Sequence, residues 1–256
     1  MIKKIISIAT RFIPRHYQQV VVAFLLRSIA IFYKGTRIED PISGKKYRKI
    51  LPYGRLQSRP NALAFHSLSL ERHRLIWLYL KNRTDFFTSP KRVLHIAPEY
   101  CFIKPFKKLT NLDYITADLI SPWADVKLDV QNIPFPDSNF DVVICNHVLE
   151  HVDDDRKAMS EMLRVMKPGG FSVFQVPLDN SIEITLEDKN INTPELREKH
   201  YKQRDHLRLY GRDYANRLRE VGFDVTEDDY VHTLSVDLVK RYALPKDEIL
   251  YICRKR

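Results

Sequence analysis

The chain has 256 residues, 44% of them hydrophobic and 29% charged, with a formal net charge of +10. That composition belongs to a globular protein with room for one large domain, or for a domain and a smaller module. Three scattered cysteines, Cys101, Cys145 and Cys253, argue against a disulfide framework or a cysteine metal centre and fit a reducing cytoplasm.

The charge is uneven. Residues 1–60 hold thirteen Lys and Arg against two acids, Glu39 and Asp40, while the remainder is nearly neutral. An anionic partner fits this module: a membrane surface, a nucleic acid or an acidic substrate. A solvated lysine-rich surface is the plain alternative.

The opening segment MIKKIISIATRFIP has apolar residues at 2, 5, 6, 9, 12 and 13, a helical spacing with Lys3, Lys4 and Arg11 opposite. Pro14 ends it. VVVAFLLRSIAIFY (20–33) is apolar nearly all round, yet it is short of the ~20 residues that a bilayer span needs. Two readings stay open for residues 1–33. They are helices packed on the main domain, or an interfacial anchor at the inner face of the membrane with basic residues toward anionic head groups. Residues 40–67 are polar and turn-rich. LSLERHRLIWLYLKN (68–82) predicts a helix with Leu70, Ile76, Trp77 and Leu80 on its buried side.

From Lys91 the pattern changes. RVLHIA, DYITAD, DVKLDV, FDVVICN and GGFSVFQVP predict strands, and DDDRKAMSEMLRVMKPGG predicts a helix with acids at its start and Lys-Pro-Gly-Gly at its end. Such alternation implies an α/β domain with a parallel sheet covered on both faces. YGRDYANRLREVGFDV predicts a helix stopped at Gly222 and then a strand, and EILYICRK a final strand. The division is a basic module over residues 1–89 and a domain over 90–256, with a substrate-covering insertion near 179–210.

Ligands of open parallel sheets bind at the carboxyl ends of the strands. Those ends carry Ala97-Pro98-Glu99, then Asp118-Leu119, Asp129-Val130, Asn146-His147 and Pro177-Leu178. Asp118 follows the first turn at the distance that suits a ribose hydroxyl, and Asp129 could accept from an exocyclic amine. Each acid alone would be an ordinary turn former. The first loop, in VLHIAPEYCF (93–102), contains no glycine. That argues against a pyrophosphate-binding loop and disfavours a nicotinamide dehydrogenase.

The run DVQNIPFPDSNFDVVICNHVLEHVDDDRKAMSEMLRVMKPGGFSVFQVP resembles class I S-adenosylmethionine-dependent methyltransferases, the bacterial type 11-like group in particular. The resemblance covers roughly residues 91–256. It implies a Rossmann-like seven-stranded, mostly parallel sheet with helices on both faces and a last strand antiparallel to the rest. It implies S-adenosylmethionine as cofactor, with Ala97 and Glu99 in the first loop, Asp118 and Leu119 at the ribose, Asp129 and Val130 at the adenine, and Asn146 and His147 at the methionine end. The departure lies in the first loop, where His95, Ala97 and Glu99 stand near the places of the group's acid and two glycines. A variant binding geometry and a decayed site both stay open there.

HVLEH (147–151) matches a zinc-peptidase pattern but straddles a strand-to-helix junction rather than one helix. Some related quinone-pathway methyltransferases place metal-binding Glu and His residues here. The expectation for this chain is no metal, with Glu150 and His151 supporting the loop. Residues 40–67 resemble the zinc ribbon that precedes such domains in rRNA guanine methyltransferases, but Asp40, Ser43, Ala64 and Ser67 occupy the four cysteine places. Tetrahedral zinc needs four ligands, usually Cys or His, so a metal-free ribbon is expected.

Methyl transfer asks the protein to align a nucleophile and remove its proton. His206 and His147 are the candidate bases, and Arg208 and Tyr210 the candidate substrate-binding residues. The expected function is methyl transfer to a small-molecule or lipid/glycan-precursor acceptor. An RNA methyltransferase and a non-catalytic binding protein on a decayed methyltransferase fold are the alternatives.

Overall fold

The computed structural model describes residues 15–54, 58–122 and 124–256. The helix expected over residues 2–13 lies outside them. In chain order the elements are α1 (Arg15–Ile29) with a 3-10 turn (Ala30–Tyr33), β1 (Lys34–Glu39), β2 (Lys46–Tyr47), β3 (Leu51–Tyr53), β4 (Arg59–Leu63) and α2 (Glu71–Arg83). They continue with β5 (Lys91–Ile96), α3 (Tyr100–Lys107), β6 (Leu112–Asp118), β7 (Val126–Lys127), β8 (Phe140–Asn146), α4 (Asp155–Val165) and β9 (Met166–Gln175). The last are α5 (Pro194–Tyr201), α6 (Tyr214–Val221), β10 (Asp224–Asp228), a 3-10 turn (Tyr230–Thr233), α7 (Val236–Arg241) and β11 (Leu250–Arg254).

The chain forms two compact units. One takes the described residues up to Thr88 together with Glu99–Leu109 and Asp229–Glu248. The other takes Ser89–Pro98, Thr110–Asp228 and Ile249–Arg256. The first thus includes two segments that a division at residue 89 leaves in the second.

The second unit contains a seven-stranded sheet in the order β10-β11-β9-β8-β5-β6-β7. The pairs β9/β8, β8/β5, β5/β6 and β6/β7 are parallel, and β11 runs antiparallel to both of its neighbours. This is the Rossmann-like fold expected, with the last strand reversed. The centre is made by unbroken apolar runs: Val142, Val143, Ile144 and Cys145 of β8 are all buried, as a strand covered on both faces requires. α4 starts where the Asp154 side chain accepts from Lys157 N–H at 2.9 Å, and packs Ala158, Met159, Met162 and Val165 into the same core. α6 stops at Gly222, whose φ of +114° is costly for any residue with a side chain.

In the first unit two short antiparallel hairpins, β1/β2 and β3/β4, surround a small core of Ala30, Ile38, Tyr47, Ile50 and Phe65. Trp77 of α2 stacks nearly parallel on Phe106 of α3, with ring centroids 5.5 Å apart. The turn after β1 and the turn after β4 meet through one buried carboxylate. Asp40 accepts from Ile42 N–H, from the Ser43 hydroxyl at 2.5 Å and from the Ser69 hydroxyl at 3.3 Å. Ser67 Oγ accepts from Ser69 N–H, and Ala64 N–H donates to Ser69 O. The four positions expected to replace zinc-ribbon cysteines are therefore bound into one hydrogen-bond network.

Candidate active site at the strand ends

The carboxyl ends of β8, β5 and β6 lie side by side in the second unit. β5 leaves the sheet through Ala97, which has a φ of 47°. Its N–H still completes the ladder, donating to Ala117 O at 2.7 Å. β8 leaves through His147, which has a φ of 57° and an N–H donating to Gln175 O at 2.7 Å. Two non-glycine residues thus stand in the left-handed region on adjacent strands, at a cost of about 1–2 kcal/mol each. Such strain persists where the surroundings over-determine it, and it gathers at functional sites. The glycine-free loop keeps the backbone turn that a glycine would make easily. At the place of the group's acid, His95 is buried and its Nδ1 lies 2.7 Å from the Tyr114 hydroxyl.

At the end of β6, Asp118 Oδ1 accepts from the N–H groups of Ile120 (2.8 Å) and Ser121 (2.7 Å). Among the described residues its Oδ2 carries no hydrogen bond, while its Oδ1 is held by the loop. Leu119 and Ile120 beside it are 58% and 84% exposed, an apolar surface suited to a ring or a ribose edge. Asp129, in the loop beyond β7, is exposed and holds Gln131 by its N–H at 2.8 Å. The Val130 side chain is in the core, so this residue can meet a ligand only through its backbone. The Asn146 side chain is built into the sheet end, with Oδ1 accepting from Gln175 N–H at 3.2 Å. Glu99 belongs to the first unit, where it precedes α3 and lies 4.0 Å from His73 Nε2.

Beyond β8 three histidines converge on one buried carboxylate. His147 Nδ1 is 3.4 Å from Glu150 Oε1, and His151 Nε2 is 4.0 Å from the same oxygen. The rings of His151 and His206 meet edge to face with centroids 4.8 Å apart. Glu150 Oε2, His147 Nε2 and both ring nitrogens of His206 are buried without a hydrogen bond of ordinary geometry. The Tyr201 backbone approaches the His206 ring outside that geometry. Burial, chiefly, pushes the His206 imidazole below its ordinary value, with the Glu150 charge opposing. His206 is therefore neutral near pH 7 and can accept a proton. Glu150, His151 and His206 each offer one ligand atom, all within 4.8 Å of one another, and could also hold a divalent ion. The expectation of a purely supporting role for Glu150 and His151 missed this convergence. The signal available was a titratable residue, His206, in a segment otherwise occupied by salt bridges.

Arg208 and Tyr210 lie in a different setting, at the start of α4. Both are buried, and their polar atoms are spent on the protein. Arg208 donates to Leu149 O, Val152 O, Asp153 O and Glu187. The Tyr210 hydroxyl donates to Asp155 Oδ2 at 2.8 Å, and Arg217 pairs with both oxygens of the same carboxylate. These residues fasten the segment after β9 onto the start of α4.

Residues 101–174 match the methyltransferase domain family. The ubiquinone/menaquinone biosynthesis C-methyltransferase of Vibrio campbellii is 44% identical over 45 residues, 18% of this chain and 17% of that protein. The demethylmenaquinone methyltransferase of Clavibacter sepedonicus is 42% identical over 59 residues, 21% of this chain and 24% of that protein. The match thus spans about a sixth to a quarter of the length of these relatives. Among solved structures, the YcgJ protein of Bacillus subtilis gives a TM-score of 0.48 at 16% identity, covering 72% of this chain and 99% of that one. A SAM-dependent methyltransferase of Archaeoglobus fulgidus gives 0.46 at 19% identity, covering 71% and 93%. The sheet order and the reversed last strand define a Rossmann-like fold. The family match overlaps this sheet, running from α3 to β9.

Proposed function

We propose that the chain transfers a methyl group from S-adenosylmethionine to an acceptor held beside Glu150, His147 and His206. The observation that carries this reading is the pair of left-handed residues Ala97 and His147 at adjacent strand ends. In that reading the Ala97 turn and Oδ2 of Asp118 receive the cofactor, with Leu119 beneath it and Asp129 accepting from its amine. Asn146 and His147 border the methionine end.

The cofactor supplies an electrophilic methyl on a sulfonium that leaves as a neutral thioether. The chain's own task is to align the acceptor and take its proton. His206 is suited to that step because burial keeps it unprotonated. His147 is the second base, with Glu150 beside its Nδ1, and the Glu150 charge stabilises the imidazolium that forms. An acceptor with an ionisable O–H, N–H or activated C–H fits. The relatives named as quinone-biosynthesis methyltransferases support a small or lipid-precursor acceptor.

Calorimetry with S-adenosylmethionine and S-adenosylhomocysteine tests the reading. Asp118→Ala should weaken binding by about 1–3 kcal/mol through the lost ribose contact. No binding by the wild-type chain would favour a decayed fold. Transfer of labelled methyl to extracted RNA, and not to lipid or small-molecule fractions, would move the acceptor to the RNA class.

A further inference from the structure

α1 and the 3-10 turn after it present their apolar side chains outward. Ala23 and Ala30 are buried, and Leu26 packs partly on the small core. Phe24 and Phe32 are 71% and 73% exposed, and Val21, Leu25 and Ile31 each more than half. A surface helix ordinarily turns its large apolar residues in and its polar ones out. Here the thin contact line is made by alanines and the large residues face away. Two polar side chains of this stretch bond to backbone carbonyls. Arg27 donates to His66 O at 3.2 and 3.1 Å, and Ser28 Oγ donates to Phe24 O.

A basic surface borders this face. Arg48 N–H donates to Tyr33 O at 2.8 Å, and the Arg48 and Lys49 side chains lie 5.7 and 5.8 Å from the centroid of the Tyr33 ring. Lys34, Arg37 and Lys45 are exposed nearby in the β1/β2 hairpin. None of these five forms an ion pair among the described residues. The two acids of this stretch are engaged: Glu39 pairs with Lys46 and Arg241, and Asp40 is buried.

We propose that this face seats on an anionic lipid bilayer surface. Phe24, Leu25, Ile31 and Phe32 would enter the acyl boundary while Arg48 and Lys49 meet lipid phosphates. The combination selects lipid over nucleic acid. A basic hairpin alone would fit a polyphosphate backbone, but nucleic acid offers nothing to cover a row of aliphatic side chains and two isolated phenylalanines. The mode is attachment and not spanning. α1 has 15 residues, or about 22 Å of helix against a hydrocarbon core of about 30 Å. No helix among the described residues is long and apolar enough to cross a membrane. This inference does not rest on the methyl-transfer reading, and either can fail alone.

The test is co-sedimentation of the full chain with phosphatidylcholine vesicles and with vesicles that also contain phosphatidylglycerol. Wild type should sediment with the anionic vesicles, at least tenfold more tightly than with the neutral ones, and added salt should weaken it. A Phe24→Glu, Phe32→Glu double variant should lose at least tenfold. These residues are exposed, so the fold should survive, and an unchanged circular dichroism melt would confirm that. An Arg48→Glu, Lys49→Glu variant should lose the preference for anionic lipid. Equal binding to both vesicle types, no vesicle binding, or binding indifferent to the phenylalanine variant would overturn the proposal. A lipid-free dimer abolished by Phe24→Glu, with no vesicle binding, would assign the face to a second copy of the chain.

Discussion

Arg74 and Asp40 are both sealed from solvent and share the hydroxyl of Ser69. Ser69 Oγ donates to Asp40 Oδ1 at 3.3 Å and lies 3.5 Å from Arg74 NH1. The rest of the guanidinium is spent on carbonyls of Asn61, Ala62, Ser69, Tyr242 and Ala243. Burial pushes Arg74 down to about 10, with the Asp40 charge opposing. The turn after β1 and the start of α2 are thus joined through the Ser69 hydroxyl, which touches both side chains.

Removing the Asp40 carboxylate leaves the Ile42 N–H and the Ser43 and Ser69 hydroxyls without their acceptor and takes the opposing charge away from buried Arg74. Asp40→Ala should destabilise the chain by about 3–5 kcal/mol, read as a fall in the urea midpoint. Elemental analysis of the wild-type chain should find no zinc tied to this segment, since its oxygens are already used. A stoichiometric zinc lost on Asp40→Ala would reverse that account.

The first loop offers a change that should stabilise. Ala97 pays for its left-handed backbone, and glycine would not. Part of the gain is returned as added freedom of the unfolded chain. Ala97→Gly should raise stability by about 0.5–1 kcal/mol, while Ala97→Val should lower it and weaken cofactor binding. Thermal melts and calorimetry on the two variants check the pair of signs.

The Asp155 cluster sets an acid limit. Burial would raise this carboxyl, but hydrogen bonds from Arg217 and the charges of Arg208 and Arg217 hold it below the ordinary aspartate range. A depressed carboxyl contributes stability that is present above its unfolded value of about 3.9 and is lost as pH falls through its folded value. Arg217→Gln should therefore narrow the gap between stability at neutral pH and at pH 4 and below. Urea midpoints across that range, for wild type and variant, give the measurement.

His206 makes the opposite kind of group visible. Its folded value is depressed, so the base stays neutral at pH 7 and protonates only below its ordinary value of about 6.5. Turnover, measured against the acceptor once found, should be flat through neutrality and fall only in more acid solution. His206→Gln should cut the rate by about 100-fold or more at saturating cofactor. A rate unchanged by that substitution would remove the base from the proposed mechanism.

Much of the central sheet was legible because its strands are long, apolar and bounded by acids, and α4 and α6 announce their ends through Asp154 and Gly222. The hairpins of the first unit were not, since Lys46–Tyr47 and Leu51–Tyr53 are too short to show any period. The acids at the strand ends could be read from spacing alone. The meeting of Glu150 with His206 could not, because 56 positions separate them and only folding brings them together. Arg208 and Tyr210 looked functional for the same reason in reverse. Titratable side chains before a helix advertise chemistry, and the partners that consume them, Asp155 and Glu187, lie elsewhere in the chain.

The stacking of Trp77 on Phe106 puts the helix that follows the first parallel strand into a different unit from that strand. The polypeptide passes between the two units five times, at 88/89, 98/99, 109/110, 228/229 and 248/249. Neither unit is a contiguous stretch of sequence. The basic module cannot be moved to another protein as a cassette, since its first 88 residues would leave behind the aromatic partner of Trp77 and the carbonyls of Tyr242 and Ala243 that hold Arg74. Recombination that respects this architecture must exchange the two units together, so the basic hairpins and the strand ends are inherited as a single block.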